Sequence, residues 1–159
     1  MSSIGSAGYE LPFPAGSVGR HVGALLIVPD GRYLMQLRDD RPDVHLAGEW
    51  GLFGGSVEPG ESFAAALLRE LHEELSFAPS RYAWFTELAF SCPDANVPPG
   101  HKTVFEVRLE QGDLERMVQR EGAGRRPFDW LQLSAEPRVV PWDACAVLIH
   151  TRWARWHEG

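Results

Sequence analysis

At 159 residues, with 44% apolar and 23% charged side chains, the chain has the composition of one globular domain with a real core, and disorder is excluded. The net charge of −7, with no basic run beyond the pair Arg125-Arg126, excludes non-specific nucleic-acid binding, which needs a basic footprint. Two cysteines, Cys92 and Cys145, make no disulfide framework and lack metal-site spacing.

Residues 1–17 are rich in Gly, Ser and Pro and read as an irregular arm ahead of a single domain over 18–159. They show no basic region followed by an apolar one, so no secretory signal is expected. No apolar run approaches membrane-spanning length. The expectation is a soluble, cytoplasmic protein with no membrane partner. Tyr9, Leu11 and Phe13 alternate within the arm and suggest a contact with the domain or with a second copy in a homodimer.

Val18 to Val28 is rich in β-branched and apolar residues and predicts a strand. Pro29-Asp30-Gly31 predicts a turn, and Arg32 to Arg38 a returning strand. After a charged loop, Trp50 to Phe53 predicts a short strand that runs into a Gly-rich loop, Gly54 to Glu61. Ser62 is placed to cap a helix. Ala64, Leu67, Leu68, Leu71 and Leu75 recur at helical spacing as its apolar stripe.

On another face of that helix stand Glu70, Glu73 and Glu74, at i, i+3 and i+4. Like charges at this spacing repel, and the helix C-terminus disfavours anions. A solvated acidic face is the ordinary explanation for such a cluster. A hard divalent cation with oxygen ligands would relieve the same repulsion.

Downstream, Pro79 blocks the helix from continuing, and Arg81 to Ser91 predicts a strand. Residues 93–100 read as a surface loop over the site, and His101 to Glu110 as a strand with Thr103, Phe105, Val107 and Leu109 on one face. Asp113 to Val118 predicts a helical turn, Gln119 to Arg126 a polar loop, and Pro127 to Leu133 a strand. Trp142 to Trp156 predicts a closing helix, with Trp142, Ala146, Ile149, Trp153 and Trp156 on the buried stripe. The order of elements implies an α/β domain: a mixed sheet with helices on both faces.

Gly55, five residues, Glu61, seven residues, then Arg69-Glu70-Leu71-His72-Glu73-Glu74 resembles the Nudix box. Only Ser76 departs, standing where the family has Gly. The resemblance implies a Nudix-type α/β/α sandwich. It also implies a hydrolase that uses Mg²⁺ (or Mn²⁺) to cleave a phosphoanhydride in a nucleoside diphosphate-linked small molecule. The nucleoside-triphosphate branch, which releases monophosphate and pyrophosphate, fits best.

Residue by residue, the resemblance implies metal-binding and water-activating roles for Glu70, Glu73 and Glu74, and a metal-binding carbonyl at Gly54. It implies that Arg69 holds the carboxylates by salt bridges and that Glu61, with Gly55, stabilises the loop. Glu121 matches a late acidic ligand or base, and Arg38 a substrate-binding position. His45 or His101 matters only if it lines the pocket; His72 occupies a variable position.

Two alternatives stay open. Leu37-Arg38-Asp39-Asp40 and Trp50 to Gly55 resemble the nucleotide-sugar (GDP-mannose-like) branch, and some Nudix-like domains sense nucleotides without turning them over. Ser76 is expected at a position with positive φ, at a cost on the order of 1 kcal/mol if the backbone is unchanged.

Overall fold

The computed structural model describes residues 18–92 and 97–157. The expected arm over 1–17 and the first part of the loop at 93–96 lie outside the described residues.

A continuous apolar run, buried from Val22 to Ile27, makes β1 (Gly19–Ile27) the centre of a seven-stranded mixed sheet. It pairs antiparallel with β2 (Tyr33–Leu37) and with β4 (Phe53–Ser56), and parallel with β6 (Val97–Arg108). β6 in turn pairs antiparallel with β5 (Ala83–Cys92). β2 carries two more antiparallel partners, β3 (Trp50–Gly51) and β7 (Gly124–Phe128). Two expectations are corrected here. Gly54 to Ser56 belong to a strand rather than a loop, and β6 begins at Val97 rather than His101.

The two-residue period of β1 builds two cores. Val22, Ala24 and Leu26 face α1 (Phe63–Leu75), where Ala66, Leu67, Leu71 and Leu75 meet them. Leu25 and Ile27 face the other way, toward Leu133 of α3 (Trp130–Ala135) and Ala146 and Val147 of α4 (Pro141–His157). The result is the expected α/β/α sandwich. A one-turn helix, α2 (Asp113–Arg116), precedes β7.

The segment after residue 119 departs most from expectation. Gly124 to Phe128 is a strand, and Trp130 to Ala135 is a helix rather than the end of a strand. Asp129 forces the change. Its side chain accepts from the Gln132 amide N–H, and the Gln132 side chain accepts from the Asp129 N–H, a complete capping box.

α4 also turns differently from the predicted stripe. Its buried residues are Asp143, Ala146, Val147 and His150, while Trp156 is 75% exposed and Ile149 is exposed. Two polar anchors explain the rotation. Asp143 pairs with Lys102 Nζ at 2.7 Å, and His150 Nε2 lies 2.8 Å from Glu106. Lys102 and Glu106 are both on β6. The anchors are crossed in sign, so docking the helix in reverse would set Asp143 against Glu106 and His150 against Lys102.

The Glu106 carboxylate accepts from His150 Nε2–H, and Nδ1 on the other side of the ring lies 2.9 Å from the Tyr33 hydroxyl. Burial alone would raise the Glu106 carboxyl, but bonds from His150 and Arg108 bring it below its ordinary value. Removing the imidazole takes one partner from the buried Tyr33 hydroxyl, which keeps Thr151, and one from the part-buried Glu106, which keeps Arg108. His150→Phe is therefore expected to cost about 3 kcal/mol in urea unfolding, and Glu106→Gln, which keeps an acceptor, about 1 kcal/mol.

Candidate active site

The site forms where the end of β4 meets α1. Ser62 opens the helix as expected: its Oγ accepts from the Ala65 N–H at 3.1 Å. Glu74, only 4% exposed, turns under the sheet. One of its oxygens accepts from the Gly54 N–H at 2.9 Å and the other from Gln36 Nε2 at 3.2 Å. The Glu70 carboxyl lies over Gly55, where any Cβ would overlap it. At Gly54, with φ of +139°, a Cβ would strike the Val22 carbonyl. These two glycines let strand and helix approach this closely.

Arg69 ties the remaining acids together. Its Nε and Nη2 donate to both oxygens of Glu61, at 2.9 and 3.0 Å. Nη1 donates to Glu70 at 2.9 Å and Glu73 at 3.1 Å, and Nη2 also reaches the Ser56 carbonyl. Glu61 faces Arg69 and accepts from the Glu58 N–H as well. Glu73 is the outermost of the three helix acids, with its side chain half exposed.

Glu121 arrives from the loop before β7. The Gln36 amide bridges Glu74 and the Glu121 carbonyl, and the Arg120 N–H donates to the Glu74 carbonyl. Burial raises the Glu74 carboxyl to about 8, helped by the charges of Glu70 and Glu121. Burial likewise raises Glu70, and Glu73 and Glu121 add to it. Glu70, Glu74 and Glu121 thus form a crowded acidic centre with too little positive charge.

Among the described residues, no group of three or more His, Cys, Asp or Glu side chains is already arranged around one ion position. Arg69 holds Glu70 and Glu73, and Gly54 and Gln36 hold Glu74. The donor set itself, carboxylate oxygens whose charge Arg69 offsets only in part, suits a hard divalent cation.

Ser76 stands in the left-handed region at φ 49° and ψ 39° and caps α1, so the backbone keeps the geometry glycine would prefer. In exchange its Oγ accepts from Arg120 Nε, on the loop that carries Glu121. Ser76→Gly is expected to stabilise the fold by about 0.5 kcal/mol, because relief of about 1 kcal/mol exceeds one exposed hydrogen bond. Urea unfolding with and without the Arg120→Ala change checks it.

Beside the acids a pocket of about 260 Å³ opens between β1, β6 and the start of α4. Arg38 and His45 line it, joined by a bond from Arg38 Nε to the His45 carbonyl. Arg38 does not bond to the acidic centre. His101 pairs with Glu87 instead, and His72 is exposed. Trp142 lines the pocket, while Phe105 and Phe128 are core.

Sequence reasoning missed Gln36, His21, Lys102 and Asp143. A glutamine inside the buried run Tyr33–Leu37 was a readable signal for the first. Lys102 and Asp143 meet only where α4 covers β6, a contact that no local pattern announces.

A family model for the NUDIX domain matches residues 18–147. The chain belongs to the NUDIX family. The 8-oxo-dGTP diphosphatase of Escherichia coli (strain K12) is 34% identical over 91 residues, 57% of this chain and 64% of that relative. The nucleoside triphosphatase NudI of Escherichia coli O1:K1 / APEC is 51% identical over 51 residues, 31% of this chain and 35% of its own length. The matches therefore span less than two thirds of these relatives. Among solved structures, the MutT protein from Methanosarcina mazei Go1 aligns with a TM-score of 0.73 at 17% identity, covering 92% of this chain and all of its own, a likeness of fold. No helix among the described residues is long and apolar enough to cross a membrane.

Proposed function

We propose that this NUDIX protein is a divalent-metal-dependent hydrolase of nucleoside triphosphates, releasing nucleoside monophosphate and pyrophosphate. The observation that carries the reading is the acidic centre of Glu70, Glu74 and Glu121, in which burial raises Glu70 and Glu74, set beside a pocket lined by Gly54, Gly55 and Arg38. The two relatives, an 8-oxo-dGTP diphosphatase and a nucleoside triphosphatase by name, support the substrate class.

Glu70, Glu73, Glu74 and Glu121, with the Gly54 carbonyl, would hold Mg²⁺ or Mn²⁺. Bound there, the cation neutralises phosphate charge and makes water nucleophilic near pH 7. The chain does the rest. Glu74 couples strand to helix through the Gly54 N–H, so the acids keep one geometry. Arg38, on the pocket wall, binds the polyphosphate. Glu70 or Glu121 takes the proton as water attacks phosphorus and the phosphoanhydride P–O bond breaks, with pyrophosphate leaving.

Nucleotide-sugar hydrolysis is the second reading, favoured by the Trp50–Gly55 run. A turnover screen with Mg²⁺ and Mn²⁺ across nucleoside triphosphates and nucleotide sugars tests both. Run in ¹⁸O-water, it should place label in a phosphate product. Label in the sugar would overturn attack at phosphorus, and no turnover of any nucleotide would leave a ligand-sensing domain.

A further inference from the structure

The pocket beside the acids has a floor that phosphate chemistry does not explain. Asp143 is 2% exposed and uses one oxygen on the Leu52 N–H, at 2.9 Å, and the other on Lys102 Nζ, at 2.7 Å. Each oxygen of the carboxylate holds one protein donor, and burial rather than lack of lone pairs keeps Asp143 behind Lys102. Lys102 differs. An ammonium carries three donors and no acceptor, and Asp143 takes one of them. The side chain is 13% exposed, and it lines the pocket.

The stem reaches this place because residue 23 is glycine. A Cβ there would lie 3.1 Å from Lys102 Cδ and 3.3 Å from Leu52 Cδ1. His21, the register partner of Lys102 on β1, is held below its ordinary pKa by burial and by the Lys102 charge. It brings no competing charge.

One wall is aromatic. Phe90 and Trp142 stack at 4.1 Å and 5°. At that separation they contact each other, so a flat ligand lies against the wall rather than between the rings. The volume, about 260 Å³, falls below the roughly 300–1,000 Å³ of sites for whole drug-sized ligands. It suits one ring system, while the rest of the nucleotide runs past Gly54 and Gly55 toward the acids.

We propose that Lys102 selects the base: this pocket takes a nucleobase whose edge carries a ring carbonyl and disfavours one carrying an exocyclic amino group there. Guanine and hypoxanthine present acceptors to a donor-only lysine, as do uracil and thymine; adenine and cytosine present an amino donor. The assignment rests on the nucleotide-hydrolase reading of the same site. The pair with Asp143 holds the ammonium in position. A charge-assisted bond to the carbonyl is worth about 10- to 100-fold in affinity.

The test uses the whole protein and two readouts. The first is binding of GMP, IMP and AMP by calorimetry; the second is kcat/KM for GTP, ITP, UTP, ATP and CTP. Wild type should favour the carbonyl-bearing base at least 10-fold in both. Lys102→Met should bring the ratio close to one, and Lys102→Arg should restore most of it. A residue that only pins α4 would shift thermal stability and leave the base ratio untouched, and that outcome overturns the proposal. If Lys102→Met does not fold, Lys102→Gln, whose amide both donates and accepts, takes its place and should lower the wild-type ratio of IMP to AMP toward one. Equal or reversed affinity in the wild type overturns the assignment. Base-selective binding without turnover keeps the Lys102 assignment and sinks the hydrolase reading. Turnover without base preference does the reverse.

Discussion

Glu74→Gln is expected to reduce kcat about 10³-fold and at the same time to make the metal-free protein more stable at pH 8. Both effects come from one buried carboxyl. An ionised Glu74 has an amide N–H, a glutamine amide and, on this reading, a cation for company. Without the cation it faces Glu70 and Glu121 in a buried site, which is why it is raised to about 8. A folded-state pKa above the unfolded value means that the folded protein holds the proton more tightly. The stability this confers is fully present below about pH 4.5 and is lost as pH rises through 8. At about 1.4 kcal/mol per unit, the loss amounts to at most about 4 kcal/mol at pH 8. The glutamine variant keeps an acceptor for Gly54 and cannot ionise, so its stability in EDTA should be flatter over this range. In the wild type Mg²⁺ should raise Tm, and more at pH 8 than at pH 6, because there it displaces less proton. The variant should show little of that gain. The loss in kcat corresponds to about 4 kcal/mol of transition-state stabilisation, a reasonable share for removing one charged ligand. Parallel pH curves for the two proteins in EDTA, or a wild-type Tm indifferent to Mg²⁺, would remove Glu74 from the metal site.

The helix that carries this residue was readable because period and charge agreed. Leu67, Leu71 and Leu75 marked the buried face, and Ser62 marked the start. The fate of each acid was not readable. Spacing put Glu70, Glu73 and Glu74 together, but burial separates them: Glu74 is enclosed, Glu70 lies over Gly55, and Glu73 leans outward to Arg69. The same limit appears on α4. The aromatic stripe predicts the buried face, yet the helix is rotated to bury Asp143 and His150. A polar residue reads as exposed until its partner is known, and the partners, Lys102 and Glu106, come from a strand about 40 residues earlier. At Asp129 the failure was of another kind. The spacing from Asp129 to Gln132 is a helix-start signal, but the apolar run Pro127–Leu133 outweighed it.

Arg69 gives the second large effect, and its sign on metal binding separates two roles. Arg69→Met removes donors to Glu61, Glu70, Glu73 and the Ser56 carbonyl in one step. Breaking a partly buried ion-pair network of this kind should cost about 3 kcal/mol of unfolding free energy. It should also lower kcat about 10²-fold, since a displacement of about 1 Å in a positioned group has that effect on rate. Mg²⁺ affinity follows a different rule. Removing a guanidinium deepens the negative potential at Glu70 and Glu74, so the Mg²⁺ concentration for half-activity should stay level or fall. Arg69→Lys should recover part of the stability, because one ammonium cannot span Glu61 and Glu70 as the planar fork does. If kcat instead survives while the Mg²⁺ requirement rises, Arg69 serves to gather ligands for the cation. The predicted pattern, a slower enzyme with undiminished metal affinity, assigns it to holding Glu61 and the β4–α1 connection in register beneath the reacting phosphate.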